Sequence, residues 1–94
     1  MGIGFHVSND KDFDPNNEDQ EVCYCSNSTG AAVLHHIGMD FDWWGKISCD
    51  EVCTIIDDRG LDNVRSAADP MASARIQTIY ARCKAERDSM LYWG

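Results

Sequence analysis

Two stretches of the chain alternate apolar and other side chains at period two, with eleven turn-rich residues between them. In "GIGFHVSN" (2–9) Ile3, Phe5 and Val7 share one side; in "EVCYCS" (21–26) Cys23 and Cys25 share one side, Val22 and Tyr24 the other. Period two marks a strand, because successive side chains point to opposite faces. The intervening "DKDFDPNNEDQ" carries Pro15, Asn16 and Asn17 and reads as a loop. The expectation is an antiparallel pair of strands joined by an acidic loop over 10–21.

Beyond residue 26 the spacing turns helical. The "SNST" run offers N-caps, and "TGAAVLHHIGM" (29–39) places Val33, Leu34 and Ile37 on one face, with Gly38 as the stop. Ser48 followed by Glu51 has capping-box spacing, Cys49, Val52, Cys53 and Ile56 follow at helical intervals, and Gly60 sits at the C-cap. After a link at 61–68, Asp69-Pro70 reads as N-cap and first helical residue of a helix over 70–90. Ala72, Ile76, Ile79, Cys83 and Met90 form its apolar stripe. The closing "MLYWG" either docks on the core or is offered to a partner, which leaves a homodimer open. The predicted architecture is one α+β domain over residues 1–94: a two-stranded antiparallel sheet packed by about three helices.

Charge narrows the function class. The net charge is −8, and it is uneven: residues 1–62 carry 13 acids and 3 bases, residues 63–94 carry 3 acids and 5 bases. Phosphate contacts need Lys and Arg, so the acidic part does not bind nucleic acid directly. Such a field attracts basic partners, or else serves solubility. The start, "MGIGFHVSND", lacks the basic residues and apolar run of a secretory signal, and no apolar stretch is long enough for a membrane span. The expected location is the cytoplasm, where the five cysteines stay reduced.

The segment "DFDWWGKISCDE" (40–51) resembles an EF-hand calcium loop, and the helix–loop–helix frame would span 29–58. Asp40, Asp42, the Lys46 carbonyl, Ser48 and Glu51 stand at ligand positions, and Gly45 stands at the turn. Trp44 departs from the pattern, because indole offers an N–H donor and no oxygen to a hard cation. A metal-free helix–turn–helix stapled by tryptophan is the competing reading. Cys23, Cys25, Cys49 and Cys53 could close a zinc site, but their spacing is not that of the common zinc modules, and each pair falls on an expected core face. A Cys–His nucleophile would need Cys49 or Cys25 beside His36, which nothing in the sequence forces. No cofactor motif is present, and an enzyme is not expected.

Trp43 and Trp44 stand among Asp40, Asp42, Asp50 and Glu51. Aromatic side chains rank high among interface anchors. The alternative is that one indole covers the helix junction and the other shields Gly45 and the strands.

The run "VCYCSNSTGAAVLHHIGM…WGKIS" (22–56) resembles small bacterial and phage proteins with a strand ending in Ser-Asn, an Ala/Leu helix ending in Gly, and Gly-x-Ile before a second helix. No established activity attaches to that pattern. In acidity, brevity and lack of motif the chain is also similar to phage-encoded inhibitors of host defence, anti-CRISPR proteins among them. These features imply a non-enzymatic module that meets a basic protein surface through Trp43, Trp44, Asp40, Asp42, Asp12, Asp14, Glu18 and Asp19.

Overall fold

The computed structural model describes residues 2–40, 42 and 44–94. The elements run β1 (Gly2–Ser8), β2 (Glu21–Ser26), α1 (Asn27–His36), β3 (Gly45–Ser48), α2 (Cys49–Arg59), α3 (Leu61–Ala67), α4 (Pro70–Ala85) and β4 (Met90–Trp93). The class is α+β, as expected, but the sheet has four strands where two were expected, and four helices stand where about three were. Strand order is β2-β1-β4-β3, with every pairing antiparallel.

Three corrections account for the difference. The helix expected over 70–90 stops at Ala85, and Met90 opens a strand instead of closing a helical stripe. "MLYW" is β4, which pairs on one side with β1 and on the other with β3. The C-terminal apolar residues therefore dock: Leu91, Tyr92 and Trp93 are buried, which removes the basis for placing a homodimer contact on them. Gly45–Ser48 forms the edge strand β3, hidden in sequence because four residues are too few to reveal a period. The expected link at 61–68 holds α3, whose N-cap is Gly60 with no side-chain capping bond and whose one buried residue is Val64.

One face of the sheet carries the core. Ile3, Phe5 and Val7 of β1 lie in register with Cys25, Cys23, Trp93 and Leu91, and Ile47 pairs with Leu91. Against this face pack Val33, Leu34 and Ile37 around α1, Cys49, Val52, Cys53 and Ile56 of α2, and Ala72, Ile76, Ile79 and Cys83 of α4. These are the helical stripes read from the sequence, apart from Met90. Burying each large apolar side chain stabilises the fold by about 1.5–3 kcal/mol, so the stripes decide the packing.

Local chemistry sets the helix ends. Ser26 Oγ accepts from the Thr29 amide and Ser48 Oγ from the Glu51 amide, while Asp69 Oδ1 accepts from the amides of Met71 and Ala72. Each cap satisfies donors that the first turn leaves free. Gly38 and Gly60 stop α1 and α2 at φ 84° and 87°, a region that favours glycine. Among the described residues no helix is long and apolar enough to cross a membrane.

Candidate interaction surface

The other face of the sheet is where the two acidic segments meet. In β1 this face carries Gly4, His6 and Ser8, and in β4 it carries Tyr92, which pairs with His6 on one side and Lys46 on the other. The loop 9–20 folds across it. The Phe13 ring stacks on Tyr92, with centroids 3.8 Å apart and planes within 8°, and the His6 ring meets Phe13 edge-on at 5.9 Å.

Side chains give this loop its shape. Asn9 Oδ1 accepts from the amides of Lys11 and Asp12, and Asn9 Nδ2 donates to Asp12 Oδ2 at 2.7 Å. Asp14 Oδ1 accepts from the Asn16 amide and Asn17 Oδ1 from the Asp19 amide. Gln20 reaches back to the Asp12 carbonyl and the Asp14 amide. The polar residues that read only as "loop" in sequence thus hold the backbone in specific turns. The Val7 amide donates to the Gln20 carbonyl at 2.9 Å, and side-chain bonds also tie the loop to the body. Tyr92 Oη donates to Asp10 Oδ1, Lys46 Nζ lies 3.1 Å from the same oxygen, and Arg82 Nη2 donates to the Asp19 carbonyl at 2.7 Å.

These contacts move the titration of the clip. The Tyr92 hydroxyl, and then Lys46, hold the Asp10 carboxyl below its usual range. Burial, and then the Asp10 bond, push Tyr92 up to about 12.

The second segment approaches from the edge strand. Gly45 pairs with Trp93, and a Cβ at Gly45 would lie 2.5 Å from Trp93 Cζ2, so the indole rests directly on the glycine. Trp93 Nε1 donates to the Asp42 carbonyl at 3.2 Å, which holds residue 42 beside the sheet. Between these two fixed points stands Trp44, 77% exposed. It walls several hollows, two of which bear on the site. One, of about 240 Å³, is lined by His6, Phe13, Pro15, Tyr92 and Trp93. The other, of about 380 Å³, is lined by Met39, Asp40, Asp42 and Lys46. His6 is 8% exposed, and its Nε2 has no hydrogen-bond partner. An unpaired buried polar group costs about 1–3 kcal/mol.

Of the residues singled out in sequence, Trp44, Asp40 and Asp42 come together here. Asp12 and Asp14 flank Phe13 on the exposed loop, while Glu18 and Asp19 lie toward its α4 end, where Arg82 is bound. Trp43 lies outside the described residues. The indole that shields Gly45 is Trp93, from the closing "MLYWG" that the sequence leaves either docked on the core or offered to a partner. Phe13, Tyr92, Trp93 and His6 were missed. A signal existed for Phe13, since the tripeptide Asp-Phe-Asp stands at 12–14 and again at 40–42.

The described residues of the segment compared with a calcium loop are divided among other roles. Gly45–Ser48 is sheet strand, Ser48 Oγ is engaged by the Glu51 amide, and Asp50 and Glu51 form the first turn of α2. Among the described residues no three His, Cys, Asp or Glu side chains gather as a metal site. The thiols are all free, and burial raises Cys23 to about 12 and also raises Cys25 and Cys53. Cys49 is lowered instead by a bond from Cys83, a neighbour the sequence did not single out. His36 offers its carbonyl to Arg59 Nη1 at 3.1 Å, and its ring stands edge-on to His35.

No protein-family model, curated protein or solved structure matches the chain.

Proposed function

We propose that this chain is a non-catalytic binding module that lays an acidic, aromatic face on a basic surface of a protein partner. The surface it covers is of the kind that otherwise holds nucleic acid, and the role is that of a phage-type inhibitor acting in the host cytoplasm. The observation that carries this reading is Trp44, 77% exposed at the seam between the two acidic segments and beside an apolar cleft. A large indole left in water next to the edge strand contributes little to folding and much to binding, because burial of an aromatic anchor is where interface energy concentrates. The net charge of −8 supports a basic partner and a fast encounter.

The test is affinity for a purified partner. Trp44→Ala should leave stability within about 0.5 kcal/mol, as exposed substitutions do. It should weaken binding by tenfold or more, the effect of losing an anchor worth about 2 kcal/mol. Asp40→Asn with Asp42→Asn should slow association and flatten its salt dependence. A confirmed partner that binds all of these variants as tightly as wild type would place its site elsewhere.

A further inference from the structure

We propose that Cys49 and Cys83 are a redox pair, which a peroxide closes into a disulfide between α2 and α4. The pair is separate from the face beside Trp44, and the inference stands whatever partner that face takes. The two thiols come from different elements of one core. Cys49 opens α2, Cys83 lies in the last turn of α4, and both are fully buried. The Cys83 S–H donates to Cys49 Sγ, so the sulfurs already face each other. Backbone bonds fix that meeting. The Cys49 amide donates to the Ser89 carbonyl at 3.0 Å, the Ser89 amide to the Glu86 carbonyl at 2.9 Å, and the Glu86 amide to the Cys83 carbonyl at 3.2 Å. The start of α2 is thereby clamped to the turn that ends α4.

The two sulfurs are chemically unequal, as a redox pair requires. Cys49 stands at the N-terminus of an 11-residue helix, where the helix dipole favours a thiolate. The bond from Cys83 also lowers Cys49, while that bond and then burial raise Cys83. Cys49 is therefore the nucleophile and Cys83 the resolving thiol. In the first step the Cys49 thiolate attacks one oxygen of hydrogen peroxide, and the O–O bond breaks. The hydroxide released takes up the proton that Cys49 had lost and leaves as water, and Cys49 is oxidised to a sulfenic acid. In the second step the Cys83 sulfur attacks the Cys49 sulfur and the S–O bond breaks. The Cys83 proton departs with that hydroxide as a second water. Two thiols and one peroxide become one disulfide and two waters, with two electrons passing from sulfur to peroxide. Neither sulfur meets solvent in the closed fold. A water-sized peroxide enters when the 86–89 turn opens, which a bulky disulfide oxidant does not match. The staple joins the roots of two strands, because β3 runs directly into Cys49 and β4 follows that turn.

The experiment treats the purified full chain with hydrogen peroxide, alkylates it with N-ethylmaleimide under denaturing conditions and weighs it by mass spectrometry. Three alkylated thiols are expected instead of five, in a monomer lighter by two hydrogens. Fragmentation of the tryptic peptides should place the link between Cys49 and Cys83. The thermal midpoint should rise by about 5 °C or more and return on reduction with dithiothreitol. Cys83→Ala should leave Cys49 as a sulfenic acid that dimedone labels. Cys53→Ala, one turn along α2, should still close the staple. The wild-type peptide map decides the matter even where Cys83→Ala fails to fold. Five alkylated thiols after excess peroxide, a link through any other cysteine, or a link formed only between two chains would overturn the pair. A midpoint that falls on oxidation would also overturn it, because the thiols would then have to leave the native packing to join.

Discussion

Gly45 and Trp93 are the pair on which the site turns. The indole occupies the space a β-carbon would need, 2.5 Å from Cζ2, and the atoms it meets belong to a ring held in the sheet. Gly45→Ala should therefore push β3 off β4 and destabilise the fold by about 1–3 kcal/mol, the usual cost of overpacking. Chemical denaturation would measure this, and an unchanged midpoint would mean that the ring moves freely. Asp10 and Tyr92 make a second residue-scale expectation, in pH. The Asp10 pKa is lowered on folding from 3.8, so its contribution is present above that value and lost as pH falls through the folded value. The Tyr92 pKa is raised from 10.0 to about 12, so its contribution is present below 10.0 and lost as pH rises through about 12. The stability difference between wild type and Asp10→Asn should be constant near neutrality and vanish in acid. In an absorbance titration, Tyr92 should be the tyrosine that Tyr92→Phe removes from the most alkaline part of the curve. Ionisation of Tyr92 near pH 10 would mean that the clip to Asp10 is not formed.

Among the elements, β4 has the most consequence for its size. Four residues join β1 to β3, and with them the core of the sheet to the strand that Trp44 immediately precedes. A chain ending at Ser89 loses both ladders and the buried Leu91 and Trp93, each worth several kcal/mol, which exceeds a small domain's margin. It should lack cooperative thermal unfolding by circular dichroism; a sharp transition would show the sheet to be dispensable. The elements legible in sequence were those with a stripe and a cap: Ser26, Ser48 and Asp69 before runs of Val, Ile, Ala and Cys. β3 and β4 were not legible, because a four-residue strand has too few alternations to reveal its period and is fixed only by partners far along the chain. α3 has a glycine N-cap and one buried side chain, so it too is fixed by what it packs against. Half of the candidate site was visible for the same reason. Trp44, Asp40 and Asp42 lie in one continuous segment, while Phe13, His6 and Tyr92 reach it only through strand register.

For the whole molecule, a helix-covered face supplies stability and the opposite face carries charge. The chain measures 34 × 29 × 20 Å, so the acidic segments are never far from the aromatic cleft. A partner held mainly by this charge should dissociate as salt rises, because screening shortens the reach of charge from about 10 Å at 0.1 M to about 3 Å at 1 M. One held mainly by the tryptophan should survive. Both are expected here, so affinity should fall with salt to a plateau that Trp44→Ala removes, as equilibrium titration across salt concentrations would record. The most direct measurement is photocrosslinking in living cells, with a photoreactive phenylalanine placed in turn at position 44 and at position 24. Tyr24 is also exposed, at 59%, but lies on the opposite sheet edge. The expected result is a basic protein joined to position 44 and absent from position 24. The same protein joined equally at position 24, or an acidic protein at position 44, would contradict the acidic aromatic face as the site of binding.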